Sequence, residues 1–263
     1  MAPNDFAVET DYSNDKFFEQ PRLVKHRAKD KRKARQEKRI KLETAIPEIR
    51  AIVPLTENQR KTFEAYEDGQ NLILHGFAGT GKTFISLYLA LEATLRGEAP
   101  KPIVIIRSVV PTRDIGFLPG SLKEKTAVYE TPYESICKEV IPNKQNAYEF
   151  LKSRGYIEFS TTSFLRGLTF RNNTIIVDEC QNMSEIEIHT LMTRVGEGCR
   201  IIFCGDFGQK DYMKESSGMP KLLKIAERMD SMTCIQFNRD DIVRSGFVRE
   251  YIIAKDEYEM EFA

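Results

Sequence analysis

Short apolar runs alternate with longer amphipathic segments from about residue 52 onward. The runs are rich in Ile, Val, Leu and Phe and predict six strands, at residues 71–75, 102–107, 156–160, 174–179, 200–206 and 232–237. The segments between them predict helices at residues 82–96, 121–139, 143–154, 184–195 and 217–228, and a last one from Asp240 or Asp241 to about Ala254. Strands this apolar are buried on both faces, so the pattern predicts an α/β fold with a mostly parallel sheet and helices on both sides.

The two ends of the chain are polar and carry opposite charges, although the formal net charge is zero. Residues 22–41 hold eleven Lys and Arg against two acids, and such a segment cannot bury a face by itself. We interpret residues 1–50 as a basic N-terminal arm, mobile or partly helical. It is either simply solvated or attracted to nucleic acid or to an acidic surface of another subunit. Residues 51–255 are the globular part, and residues 256–263, with four acids, are an acidic tail.

Several classes of protein are disfavoured by what the sequence lacks. No stretch is apolar for the roughly 18 residues that a membrane span needs, and the start lacks the basic and apolar regions of a secretory signal. The five cysteines are odd in number and form no CxxC pair, so we interpret them as reduced thiols rather than disulfides or zinc ligands. A cytoplasmic protein without membrane contact is expected.

Residues 74–83, LHGFAGTGKT, contain the phosphate-loop pattern G-x-x-x-x-G-K-[ST] between a predicted strand and a predicted helix. Glycines let the backbone curl so that successive N–H groups face phosphates, and the helix N-terminus adds positive potential. Lys82 is expected to reach the β- and γ-phosphates, and the Thr83 hydroxyl to bind Mg²⁺. The nucleotide-binding residues are then Gly76, Phe77, Ala78, Gly79, Thr80, Gly81, Lys82 and Thr83.

Two later strand ends and one upstream segment carry polar groups suited to such a site. Asp178 is expected to bind Mg²⁺, while the adjacent Glu179 orients and deprotonates the attacking water. GTPases usually lack this second acid, so the pair favours ATP. Gln209 can hydrogen-bond the γ-phosphate or the water, unless GDFGQ is an ordinary turn. Gln59 can pair with adenine, unless Thr56 is simply a helix cap and Gln59 is exposed.

Several stretches together resemble the PhoH-like ATPases: QRKTFEAYEDGQNLILHGFAGTGKT, IGFLPGSLKEK at residues 115–125, SFLRGLTF at 163–170, IIVDECQN and FCGDFGQ. The resemblance runs from about Pro54 to Tyr251. It implies a RecA-like sheet related to the lobes of superfamily 1 helicases, with ATP hydrolysis, action on RNA and ring-shaped oligomers. Cys180 stands where the family usually has Ala, and the residues before Pro54 contain no set of paired acids that would indicate a fused ribonuclease.

The resemblance also raises the question of a missing arginine, because one RecA-like lobe supplies only part of a motor's usual site. The globular part leaves no room for a second lobe. We therefore expect the arginine to come from a neighbouring subunit in a closed ring, with ATP between protomers of a hexamer. The candidates are Arg166, Arg194, Arg239 and Arg244. Resemblance to the family's D-[IV]-V-R segment favours Arg244, whose alternative is an ordinary surface ion pair.

Basic residues surround the IGFLPG turn and predict a nucleic-acid contact. With a nearby aromatic ring they could hold a single strand by phosphate contacts and stacking, a mode that depends on salt and not on sequence. The alternative is a plain basic surface. The candidate contacts are Arg107, Arg113, Phe117, Lys123 and Arg166.

The leading interpretation is a Mg²⁺-dependent ATPase that acts on nucleic acid, with RNA preferred to DNA by family resemblance. The alternative is a nucleotide-switched assembly protein that acts on a protein partner and has no helicase activity. A kinase for a small substrate is a third and weaker interpretation, because kinases suppress attack by water whereas Glu179 and Gln209 would promote it. Stimulation of turnover by nucleic acid distinguishes the first two.

Overall fold

Six parallel strands form one sheet in the computed structural model, which describes residues 46–108, 122–165, 167–206 and 217–261. The strands are β1 (Asn71–Gly76), β2 (Ile103–Arg107), β3 (Ile157–Thr161), β4 (Thr174–Asp178), β5 (Arg200–Asp206) and β6 (Met232–Phe237), in the spatial order β3-β2-β4-β5-β1-β6. Every ladder is parallel, so the predicted α/β fold with a parallel sheet is confirmed. The compact unit that contains this sheet begins at Pro47.

Seven helices accompany the sheet in the described part: α1 (Glu57–Glu67), α2 (Lys82–Arg96), α3 (Leu122–Val140), α4 (Ala147–Ser153), α5 (Glu185–Met192), α6 (Met219–Ala226) and α7 (Gly246–Glu261). Helix α2 has the predicted bounds, and it ends where Gly97 adopts a left-handed conformation with a φ of 79°. Helix α5 begins with a capping box: Ser184 Oγ accepts the N–H of Glu187, whose carboxylate accepts the N–H of Ser184.

Successive residues of each strand point to opposite faces, so the sheet has two cores. On one face Leu72 and Leu74 pack with Tyr88 of α2 and Tyr133 of α3. On the other face Ile73 packs with apolar residues of α5 and α6. All strands are parallel, so their carboxyl ends lie at one edge of the sheet, which is where α/β proteins place their ligands.

The prediction for the start of the last helix was wrong. Residues 239–241 form a separate 3-10 turn capped by Asn238, so neither Asp240 nor Asp241 caps α7. Asp241 is instead buried, and its carboxylate accepts the Asn238 N–H at 2.8 Å. The final helix begins later in the chain, and its last turns contain acids that the sequence suggested as a separate tail.

Other sequence-based expectations concern the chain as a whole. Within the described ranges, no helix is long and apolar enough to cross a membrane. All five cysteines are free thiols. Cys137 is buried, and burial raises the pKa of its thiol to about 12. Residues 1–45 of the predicted basic arm lie outside the described residues.

Candidate functional site

The phosphate loop begins where strand β1 ends against strand β6. Gly76 has a φ of 119°, and a Cβ atom built on it would lie 2.0 Å from the carbonyl oxygen of Phe237. The next residue, Phe77, donates its N–H to that same oxygen at 3.1 Å. Only glycine fits this close approach, so β6 fixes the point at which the chain leaves the sheet and enters the loop.

Lys82 is the first residue of helix α2, and its side chain is 4% exposed. Its Nζ lies 2.5 Å from the carbonyl oxygen of Phe77, 3.1 Å from Oγ1 of Thr80 and 2.8 Å from Oδ1 of Asp206. The loop and the end of strand β5 therefore satisfy the ammonium group together. The strand-end motif GDFGQ contains both Asp206 and Gln209, and only Gln209 was predicted as a site residue.

The two predicted magnesium ligands meet at the carboxyl end of strand β4. The Thr83 hydroxyl donates to Oδ1 of Asp178 at 2.8 Å, and Asp178 is buried. Mg²⁺ is usually held by one or two protein oxygens and keeps several water ligands. A hydroxyl and a carboxylate in contact therefore fit this ion, with Thr83 and Asp178 as the groups that would hold it.

The second carboxylate oxygen of Asp178 is held from helix α3. The Tyr133 hydroxyl is fully buried and donates to Oδ2 at 2.8 Å. Burial, and then the Asp178 carboxylate, raise the pKa of Tyr133 well above its usual value, so the hydroxyl stays a donor. The sequence gives no signal for Tyr133, because a tyrosine on a helix is ordinarily a core residue and this one has its partner 45 residues away.

Glu179 follows strand β4 in a left-handed conformation with a φ of 55°. Oε1 of its carboxylate lies 3.3 Å from Nη2 of Arg107, and Oε2 accepts from Nε2 of Gln181 at 2.7 Å. Oε1 of Gln181 in turn accepts the N–H of Asp206 at 3.2 Å, which links the ends of β4 and β5. Burial, and then the charge of Asp178, raise the pKa of Glu179, as suits a group that takes a proton from water.

Arg107 lies beside these carboxylates. In the ladder between β2 and β4 it stands opposite Asp178, which brings its guanidinium next to Glu179. Nη1 also donates to the carbonyl oxygen of Tyr129 at 3.4 Å, and the guanidinium carbon lies 6.0 Å from the centre of the Tyr129 ring. Arg107 therefore belongs to the surroundings of Glu179, and its contact with nucleic acid stays a prediction.

Gln59 supports the loop from helix α1. Thr56 caps this helix by accepting the N–H of Gln59, but Gln59 is 4% exposed, so the expected alternative of an exposed glutamine was wrong. Its Nε2 donates to the carbonyl oxygen of Thr80 at 3.0 Å, and its Oε1 accepts the N–H of Leu55 at 2.7 Å. Both ends of the amide hold backbone groups, and adenine recognition by Gln59 stays a prediction.

Arg244 packs on the phosphate loop of its own chain. The N–H of the preceding residue, Val243, donates to the carbonyl oxygen of Gly79 at 3.1 Å. A Cβ atom built on Gly79, whose φ is 73°, would lie 2.8 Å from Cγ of Arg244. The sequence suggested that this arginine reaches the site of a neighbouring subunit, whereas here it lies at the site of the chain that carries it.

Two other candidate arginines have other partners, and the guanidinium carbon of Arg239 lies 5.9 Å from the centre of the Phe77 ring in the phosphate loop. Nη1 of Arg194 donates to the carbonyl oxygen of Leu168 at 3.1 Å. Arg239 forms ion pairs with Asp256 at 2.7 Å and with Glu257 at 2.8 Å. Arg194 and Arg239 do not line the cavity beside the phosphate loop.

That cavity has a volume of about 430 Å³ and is open to solvent on one side. Small-molecule sites commonly have volumes of about 300–1,000 Å³, so a nucleotide fits. The phosphate loop forms one wall and helix α3 another. The structure thus brings nine predicted residues to one cavity, together with Asp206: Gly79, Thr80, Gly81, Lys82, Thr83, Arg107, Asp178, Glu179 and Arg244.

Several predicted residues lie wholly or partly outside the described part of the chain. Gln209, Arg113, Phe117 and Arg166 lie outside the described residues, and only the backbone of Lys123, in helix α3, is described. Their roles at the γ-phosphate and in nucleic-acid binding stay predictions.

Comparison with solved structures finds partial similarities of fold. The large terminase of a thermophilic bacteriophage in complex with ATP-gamma-S is 17% identical, with a TM-score of 0.45 over 75% of this chain and 48% of that one. The SWI2/SNF2 ATPase core of Sulfolobus solfataricus in complex with dsDNA is 15% identical, with a TM-score of 0.42 over 73% of this chain and 46% of that one.

Comparison with curated sequences gives a more specific result. A PhoH-like protein of Synechocystis is 32% identical over 210 residues, which cover 78% of this chain and 62% of the relative. The protein PhoH of Escherichia coli K12 is 30% identical over 204 residues, which cover 77% of this chain and 58% of the relative. The chain therefore spans less than two thirds of either relative. The sequence profile described as PhoH-like protein matches residues 51–256, most of the chain, and the chain therefore belongs to the PhoH-like family.

Proposed function

We propose that this chain hydrolyses ATP to ADP and phosphate with the help of Mg²⁺. The observation that carries the proposal is the meeting of Lys82, Thr83, Asp178 and Glu179 in one cavity, although they come from the start of helix α2 and the end of strand β4. A phosphate-binding lysine, a hydroxyl–carboxylate pair suited to Mg²⁺ and a carboxylate with a raised pKa are the parts that phosphoryl transfer to water requires.

The contacts of each group indicate its part in the reaction. Lys82 exchanges the carbonyl oxygen of Phe77 for phosphate oxygens when the nucleotide binds. Thr83 and Asp178 would hold Mg²⁺, which would neutralise charge on the phosphate oxygens. Glu179 takes a proton from a water molecule while the oxygen of that water bonds to the γ-phosphorus. The bond between the γ-phosphorus and the bridging oxygen breaks, and that oxygen leaves with ADP.

The Tyr133→Phe substitution should weaken the response to Mg²⁺ without unfolding the protein. It removes only the hydroxyl that holds Oδ2 of Asp178, and groups that orient metal ligands typically change metal affinity 10–100-fold. We expect the Mg²⁺ concentration for half-maximal ATP hydrolysis to rise about 10-fold. Tyr148→Phe is the matched control, because it removes another buried hydroxyl, bonded to Glu130 outside the cavity. Equal Mg²⁺ dependence in the two variants would count against the proposed role.

We further propose that a single nucleic-acid strand, RNA in particular, stimulates hydrolysis. Family membership supports the proposal, and so does the position of Arg107, which contacts Glu179 at 3.3 Å. The chain continues directly from Arg107 into the segment that contains Arg113 and Phe117. A nucleic-acid strand bound to that segment would lie next to Arg107, which contacts Glu179, the proposed general base.

Steady-state ATP hydrolysis with and without single-stranded RNA and DNA tests this proposal, with Lys82→Ala as the blank. We expect RNA to raise turnover several-fold. Raising the salt concentration should weaken RNA binding steeply, because phosphate contacts release counterions. Turnover that ignores both nucleic acids would refute the coupling and leave the hydrolysis intact.

A second candidate function is nucleotide-controlled assembly, and the surface of helix α7 favours it. Phe247, Tyr251 and Tyr258 are 81%, 62% and 63% exposed. Their spacing of four and seven residues places them along one side of the helix. We propose that this stripe packs against another copy in a closed ring, with a hexamer as the expected size. Sedimentation velocity with ATP and with ADP, in the absence of nucleic acid, tests this proposal. The assembly state should depend on which nucleotide is bound.

A further inference from the structure

Three cationic side chains line the cavity, and they differ in their partners. Lys82 is paired with Asp206 at 2.8 Å, and Arg107 with Glu179 at 3.3 Å. Arg244 lines the same cavity, but among the described residues its guanidinium has no ion pair or hydrogen bond. An arginine that lies on a phosphate loop without a partner in the described part of the chain can direct its donors to an anion.

The backbone fixes Arg244 on this loop. The N–H of the preceding residue, Val243, donates to the carbonyl oxygen of Gly79. The backbone of Arg244 therefore follows directly after a hydrogen bond to the loop. The side chain then runs across Gly79: the position of a Cβ on that glycine would be 2.8 Å from Cγ and 3.5 Å from Nε of Arg244. Ile252 of helix α7 reaches the same glycine, with its Cδ1 3.4 Å from that position.

Gly79 is therefore the residue that makes room for this arrangement. Any side chain at this position would collide with Arg244, and the φ of 73° is itself rarely adopted by other residues. The segment after strand β6 can thus lie flat on the loop and bring a guanidinium to the cavity from the same chain.

We propose that Arg244 acts in cis, as a donor to the γ-phosphate of ATP bound to its own chain. The inference rests on the proposed ATP hydrolysis. Charge on the phosphate oxygens redistributes as the bond to ADP breaks, and the planar guanidinium stabilises it with two parallel N–H donors. Arg244 transfers no proton, and the water's proton still goes to Glu179. Arginines serve this purpose both in cis and in trans in related reactions.

The consequence concerns the ring. If Arg244 completes the site within one chain, hydrolysis does not require a neighbouring subunit to supply an arginine. Self-association through the stripe on helix α7 would then serve another purpose, such as enclosing a strand.

The first test replaces Arg244 and compares it with a nearby arginine. Arg244→Ala should lower kcat about 100-fold, the usual effect of removing one transition-state donor, and Arg244→Lys should recover part of it. Arg249→Ala is the matched control, because Arg249 is half exposed on helix α7 and does not line the cavity. Wild-type turnover in Arg244→Ala would overturn the proposal. A wild-type protein that does not hydrolyse ATP would instead refute the proposed function.

The second test separates cis from trans by mixing variants. Lys82→Ala and Arg244→Ala chains are refolded together, and mixed assemblies are isolated through two different affinity tags. If Arg244 acts in cis, every chain of the mixture lacks one essential group of its own site, so turnover stays at the sum of the turnovers of the two variants. Single chains that remain monomeric during turnover lead to the same conclusion. In trans, Lys82→Ala chains donate Arg244 to their neighbours, and recovery of turnover well above that sum would overturn the proposal.

Discussion

Replacing Lys82 with alanine should lower ATP hydrolysis by at least about 10³-fold, the upper end of the effect of removing one transition-state donor. The side chain is 4% exposed, and its Nζ lies within hydrogen-bond distance of the loop at Phe77 and Thr80. The loop carbonyls that now accept from Nζ would face the phosphates without an intervening cation. We therefore expect ATP binding to weaken as well, at least about 10-fold, as measured with a fluorescent analogue.

The fold should survive the Lys82→Ala substitution. Asp206, the carboxylate that Lys82 leaves behind, is 49% exposed and can be hydrated. The matched control is Lys221→Ala, which also removes a lysine from an ion pair, in this case the exposed pair with Glu185. Its turnover should equal that of the wild type. A folded Lys82→Ala protein with wild-type turnover would place hydrolysis outside this cavity.

Much of the fold could be predicted because its signals are local. The runs NLILHG and RIIFCGD are apolar enough to be buried strands wherever they occur, and both form strands. The bounds of helix α2 follow from the phosphate-loop motif at its start and from Gly97 at its end. The last helix was misplaced for an equally local reason. Asn238 competes as a cap, so Asp241 closes a short turn and the helix starts after it.

The site was less predictable, because its supporting contacts join residues far apart in sequence. The motifs identified Lys82 and Asp178 individually, but the pairing of Asp178 with Tyr133 depends on how helix α3 packs on the sheet. From the sequence, Arg107 was predicted only as a basic residue for nucleic-acid contact. Its register opposite Asp178 in the sheet brings it next to Glu179. Resemblance pointed to Arg244, but its contact with Gly79 of the same chain depends on how the segment after strand β6 packs on the phosphate loop.

Replacing Glu179 with glutamine should separate binding from hydrolysis. Glutamine keeps the size of the side chain but cannot accept the proton of the attacking water, so kcat should fall about 10³-fold. Lys82, Thr83 and Asp178 are untouched, so ATP affinity should stay within about 3-fold of wild type, unlike in Lys82→Ala. Rapid-quench measurements should find ATP bound and uncleaved on the variant, while the wild type has already formed ADP.

The structure also indicates how Glu179→Gln could mislead. Glutamine loses the ion pair with Arg107, but it also removes a partly buried negative charge, and partial burial raises the pKa of Glu179. These effects oppose each other, so the melting temperature should change by less than about 4 °C. Glu185→Gln, which neutralises an exposed glutamate, is the control and should hydrolyse ATP normally. If Glu179→Gln is folded and retains turnover, the base must be another carboxylate, and Asp206 lines the same cavity.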